Sequence, residues 1–122
     1  MAQAKLVRFS SPRTELHDAL GLTGCEVSFN EMPAGAEIPF VHCHEQNEEV
    51  YIVLDGSGKV WLDGAVTDIA GGDCLLVAPA EHRCLKAGAQ GLKYICIQAR
   101  AGSLAQFTMT DGKIVENEKP QW

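Results

Sequence analysis

The chain has 122 residues and a mass of 13.2 kDa, room for one hydrophobic core. Its 46% hydrophobic and 21% charged residues belong to a chain that folds rather than one that stays disordered. Sixteen acidic against ten basic residues give a net charge of -6, and Lys and Arg form no run, which argues against charge-driven binding to nucleic acid or to an anionic membrane surface.

The N-terminal segment MAQAKLVRFSSPR has no long apolar stretch of the secretory kind, and nothing in the chain approaches the roughly 20 apolar residues of a membrane helix. Five cysteines (Cys25, Cys43, Cys74, Cys84 and Cys96) are an odd number without a CxxC pair. Free thiols in a reducing compartment fit that pattern better than a disulfide framework, so a cytoplasmic protein is expected. The first element predicted is a helix of one or two turns over Thr14–Leu20, capped by Thr14, with Leu16 and Leu20 on one face and Gly21 as its stop. His17, on its polar side, is assigned no role.

From there on the chain reads as β. Short runs rich in β-branched and aromatic residues, CEVSFNEM, EVYIVLDG, KVWLDG, DCLLVAPA and LKYICIQA, alternate with glycine-containing turns. Asp63-Gly64 lies between KVWL and AVTDIA and predicts a hairpin turn, because both residue types tolerate positive φ. A sandwich or barrel is the class this spacing suggests. Past Ala101 a short strand is predicted over Lys113–Glu116, followed by a polar tail over 117–122. A single domain over 1–122 is expected.

The chemistry concentrates between Gly35 and Gly58. His42 and His44 are two apart in what reads as a strand, so both imidazoles face one way and Cys43 the other. After the EQNE loop, Glu49, Tyr51 and Val53 share a face of the returning strand, and Glu49 can fold back toward the histidines, whereas Glu48 points away. His82 opens a later strand after Pro79 and offers a third imidazole. Three imidazoles and a carboxylate suit a borderline divalent metal. Cys84 and Lys86 share the parity of His82 and are candidates for the pocket, as are Tyr51, Cys96 and Gln98.

Gly35, six residues, His42, one, His44, four, Glu49, six, Gly56 resembles the first motif of the cupin superfamily, with one extra residue between the first Gly and the first His. Gly71, five, Val77, one, Pro79, two, His82, three, Lys86 is similar to the second motif. There Val77 stands where the family usually has Pro, Pro79 where it has Gly, and Lys86 where it has Asn. The fourteen residues between the motifs resemble the spacing in small single-domain cupins, and the motif core covers 35–86.

The resemblance implies an all-β fold, a double-stranded β-helix or jelly-roll barrel, here with one short helical turn near the N-terminus. It further implies that His42, His44, Glu49 and His82 ligate iron, manganese, zinc or nickel, and that a small organic molecule binds inside the barrel. If catalytic, such a protein would be a metal-dependent oxidoreductase or isomerase, for instance a dioxygenase. The alternative is a non-enzymatic module that binds or senses a small molecule. A homodimer is also expected, since the apolar runs LVRF and KIV lack partners in the motif core and small cupins are often dimers.

Overall fold

A computed structural model of the chain describes residues 4–108 and 110–122. Its strands are β1 (Arg13–Glu15), β2 (Glu26–Met32), β3 (Asn47–Leu62), β4 (Ala65–Ala70), β5 (Cys74–Val77) and β6 (Arg83–Arg100), with one short helix, α1 (His17–Leu20). All pair antiparallel in the order β1-β2-β6-β3-β4, and β5 adds to β3. The fold is the expected all-β jelly-roll barrel.

Two long strands carry the architecture. The first half of β3, Asn47 to Val53, pairs with the second half of β6 and with β5, while its second half pairs with the start of β6 and with β4. The switch occurs at register shifts between Val53 and Asp55 and between Gly56 and Gly58, where bulges bend the strand across the barrel. Gly56 permits this at φ 83°, and its α-carbon faces the Gly91 carbonyl so closely that a side chain would have no room. Inside the bend, Val53, Val60, Ile69, Val77, Leu85, Ala87 and Leu92 form an apolar core with Tyr51, Tyr94 and Met32.

The Asp63-Gly64 turn forms as the hairpin pattern predicts, with φ 48° and 93°, the two positive values a primed turn requires. The helix is shorter than Thr14–Leu20. Thr14 lies in β1 opposite Phe29 and caps nothing, because Arg13–Glu15 gain ladder hydrogen bonds on the edge of β2. The N-H groups of Leu16 and His17 are instead taken up by the Glu26 carboxylate, and Gly21 ends the helix in the left-handed conformation. No strand forms over Lys113–Glu116, whose residues are exposed and irregular.

Replacing Gly56 with Ala places a methyl group 2.1 Å from the Gly91 oxygen in a left-handed conformation, and is expected to cost more than about 3 kcal/mol or abolish folding. Gly64→Ala keeps open space around the new methyl and should cost only about 1 kcal/mol. Urea denaturation of the two variants beside the parent protein measures the difference.

Candidate metal centre

The histidine segment is held from below by the start of β6. His42 and Arg83 exchange both backbone hydrogen bonds, at 3.2 and 3.0 Å, and the His44 N-H donates to the Pro79 carbonyl at 2.8 Å. Only one isolated bridge forms here, yet the alternation expected of a strand holds: His42 and His44 are half-buried, and Cys43 between them is exposed. Glu49, Tyr51 and Val53 turn their side chains into the barrel from β3.

These elements bring His42, His44 and Glu49 together, with one potential ligand atom from each lying within 4.8 Å of the others. His44 Nε2 is 3.5 Å from Glu49 Oε2, and His42 Nε2 is 3.9 Å from Oε1. The carboxylate is buried and touched on several sides. The Tyr51 hydroxyl donates to Oε1 at 3.1 Å, the Cys96 thiol donates to Oε2 at 3.3 Å, and Arg83 Nε lies 3.2 Å from Oε1. That last contact is an ion pair without the alignment of a hydrogen bond, since Nε is left without a hydrogen-bond partner.

Burial pushes the His42 imidazole below its ordinary range; Glu49 opposes the shift, and the Arg83 and His44 charges add to it. The ring is therefore neutral near pH 7, with a lone pair free to coordinate. Burial also raises the Tyr51 hydroxyl, which the Glu49 charge raises further. The Cys96 thiol is pushed up to about 12, first by burial and then by Glu49. Both groups thus stay protonated and act as donors to the carboxylate.

His82 does not reach this group. It is exposed, and its N-H donates to Asp63 Oδ1 at 2.9 Å while its carbonyl accepts from the Asp63 N-H. The reason is strand parity: Arg83, Leu85 and Ala87 turn inward at the start of β6, which sends His82 and Lys86 outward. Arg83, only 1% exposed, occupies the inner position. Its terminal nitrogens donate to the carbonyls of Ala78, Pro79 and Glu81, so the guanidinium closes the loop between β5 and β6 as well as facing Glu49.

The remaining candidates divide. Tyr51, Cys96 and Gln98 line a cavity of about 310 Å³ that opens onto His42 and Glu49. Gln98 also accepts a hydrogen bond from Asn47 at 2.9 Å. Cys84 is half-buried at the same cavity, but its thiol is directed to the Ile38 carbonyl. Lys86 is not in this lining. It borders a separate surface cleft of about 590 Å³ with Lys59, Asp68 and Asp73, a larger hollow that contains none of the converging histidines. Arg13, Glu26 and Ser28, which the motif reading missed, come to the cavity from β1 and β2.

Residues 28–98 match the family described as Cupin domain, more than half of the chain. The chain belongs to the cupin family. A cupin protein from Bacteroides fragilis is 44% identical, with a TM-score of 0.88 over 94% of this chain and 99% of that one. A putative sugar phosphate isomerase from Acidithiobacillus ferrooxidans is 27% identical over 72% of this cupin and 58% of its own length, with a TM-score of 0.65. A predicted oxalate decarboxylase from Thermotoga maritima, 20% identical with a TM-score of 0.60 over 72% of this chain and 78% of that one, shares the fold. No curated protein matches the sequence.

Thiol reactivity tests the placement of the cysteines. At pH 8 a disulfide reagent should modify the exposed Cys43 and Cys74 rapidly and Cys96 slowly, because Cys96 is half-buried, protonated and bonded to Glu49. Mass mapping of the labelled peptides over time reads the order.

Proposed function

We propose that this cupin binds a divalent metal ion through His42, His44 and Glu49 and holds a small organic ligand in the adjoining cavity. The observation that carries the reading is the convergence of two half-buried imidazoles and a buried carboxylate, with His44 Nε2 lacking any hydrogen-bond partner. An imidazole nitrogen out of water without a partner is costly, and a metal ion is the partner that also suits its two neighbours. The donor set fits iron, manganese, zinc or nickel, and three protein ligands leave coordination positions open to a ligand. When bound, such an ion supplies Lewis acidity or redox chemistry.

The chain's own residues do the rest. Tyr51 and Cys96 orient the Glu49 carboxylate, and Arg83 fixes the loop against which His44 rests. Ile38, Phe40, Leu85 and Tyr94 give the cavity apolar walls that exclude water from a bound molecule. The similarity to a putative isomerase supports an isomerase among the candidate activities, beside a dioxygenase. One observation favours the second reading, a non-enzymatic binding module: Arg83 already supplies a positive counter-charge to Glu49, so the pocket keeps its charge balance when no ion is bound.

No helix among the described residues is long and apolar enough to cross a membrane. A homodimer in solution is part of the proposal, because Leu6, Val7, Phe9, Ile114 and Val115 leave apolar surface exposed at both ends of the chain.

Zinc titration followed by calorimetry is the direct test. One ion per chain should bind the parent protein, and His44→Ala should weaken it by more than about 100-fold, since losing even an outer partner of a ligand costs 10- to 100-fold. His82→Ala should leave the affinity unchanged, because His82 lies outside the group. Acidification through the histidine range should release the ion, as protons compete for the same lone pairs. Absence of stoichiometric binding refutes the metal. Light scattering should give about twice the 13.2 kDa chain mass.

A further inference from the structure

Of the two cations that line the cavity, Arg13 and Arg83, Arg13 is the one less committed to partners within the protein. Glu26 lines the cavity too, and its Oε1 accepts the N-H groups of Leu16, His17 and Val27 at 3.1, 2.8 and 2.8 Å, a backbone cradle that offsets part of its negative charge. Arg83 also lines it, but its guanidinium is spent on three loop carbonyls and on Glu49. Arg13 is different. Its Nε donates to Glu15 at 2.9 Å and its Nη1 to the buried Asn30 side chain, so the plane of the guanidinium is fixed on two edges. Its Nη2 has no partner among the described residues. The ion pair with Glu15 lies at half-exposed side chains, where solvent screens it and holds it weakly. The field of Arg13 reaches inward, lowering the pKa of Tyr94 against the dominant effect of burial.

We infer that Arg13 is the specificity-determining residue of the cavity and that its ligand is a small organic anion, a monocarboxylate with a short apolar body. Nη2 of Arg13 receives the carboxylate in a charge-assisted hydrogen bond. The body lies along Ile38, Phe40 and Leu85, with the Ser28 hydroxyl and Gln98 amide among the polar groups beside it. A volume of about 310 Å³, at the low end for ligand sites, limits the molecule to roughly the size of a single ring or a short acid. This inference rests on the ligand-binding reading of the pocket and adds the chemical class of the ligand.

The test uses pyruvate and benzoate as probes, with the neutral pyruvamide and benzamide as isosteres, titrated into zinc-loaded and zinc-free protein and followed by amide chemical shifts. The carboxylates should bind the parent protein more tightly than the amides, with shifts at residues lining the cavity. Arg13→Met should weaken carboxylate binding by about 10-fold or more while leaving the amides unchanged, and Arg13→Lys should recover part of the loss. Zinc affinity should be the same in all three proteins. Equal carboxylate affinity in Arg13→Met overturns the inference, as does failure of both carboxylates to bind at about 10 mM, a concentration at which even a millimolar site is mostly filled. If zinc fails to bind the parent protein while Arg13-dependent carboxylate binding persists in the zinc-free form, the metal reading falls and the anion site stands.

Discussion

The structure depends on how the barrel accommodates one buried negative charge. Glu49 is 4% exposed in a β-barrel interior, where an isolated carboxylate would be prohibitively costly. Its surroundings answer that cost with a tyrosine hydroxyl, a thiol, two imidazole edges and a guanidinium, drawn from β3, β6 and the histidine segment. The carboxylate therefore gathers the three parts of the chain that form the site. Because Arg83 is itself nearly fully buried, each of the two charges makes the burial of the other tolerable, and removing either would strand its partner.

Much of this arrangement was legible in the sequence, for reasons that can be named. His42, His44 and Glu49 followed from period-2 alternation on either side of a short loop, and alternation is set locally. The Asp63-Gly64 hairpin followed from residue types that accept positive φ. His82, the expected fourth ligand, lies outside the group because of parity. His82, Cys84 and Lys86 do share alternate positions, as expected, but whether that set faces in or out is decided by how the chain leaves the Pro79 turn. A signal was present: Leu85 and Ala87 share the parity of Arg83, while Lys86 shares that of His82, which marks the latter as the outer set. An inward arginine goes against the usual exposure of that residue type, and only the carbonyls of the β5–β6 loop and the Glu49 carboxylate explain it. Arg13 and Thr14 were obscured differently, since a three-residue edge strand carries almost no periodicity of its own and exists because β2 offers it a ladder.

The long strands explain why the pocket is placed with some rigidity. β3 carries Glu49 and Tyr51 at one end and ends in the hairpin at the other, and β6 carries Arg83 at its start and Cys96 and Gln98 near its end. Each strand thus contributes to the site from a hydrogen-bonded ladder, interrupted only at the bulges of the bend, rather than from a loose loop. The two histidines are the exception. They lie on a segment with a single bridge, and their position is borrowed from the backbone of Arg83 and Pro79.

His82 acquires its significance from that borrowed position. Its N-H and carbonyl are both clasped by Asp63, a residue at the exposed tip of the hairpin, and the next residue in the chain is Arg83. The hairpin tip is thereby tied to the floor of the pocket, since the clasped residue adjoins the arginine whose side chain faces Glu49 and whose backbone holds His42. A solvent-facing turn outside the pocket is in this way only one peptide bond from the charge balance of the barrel interior.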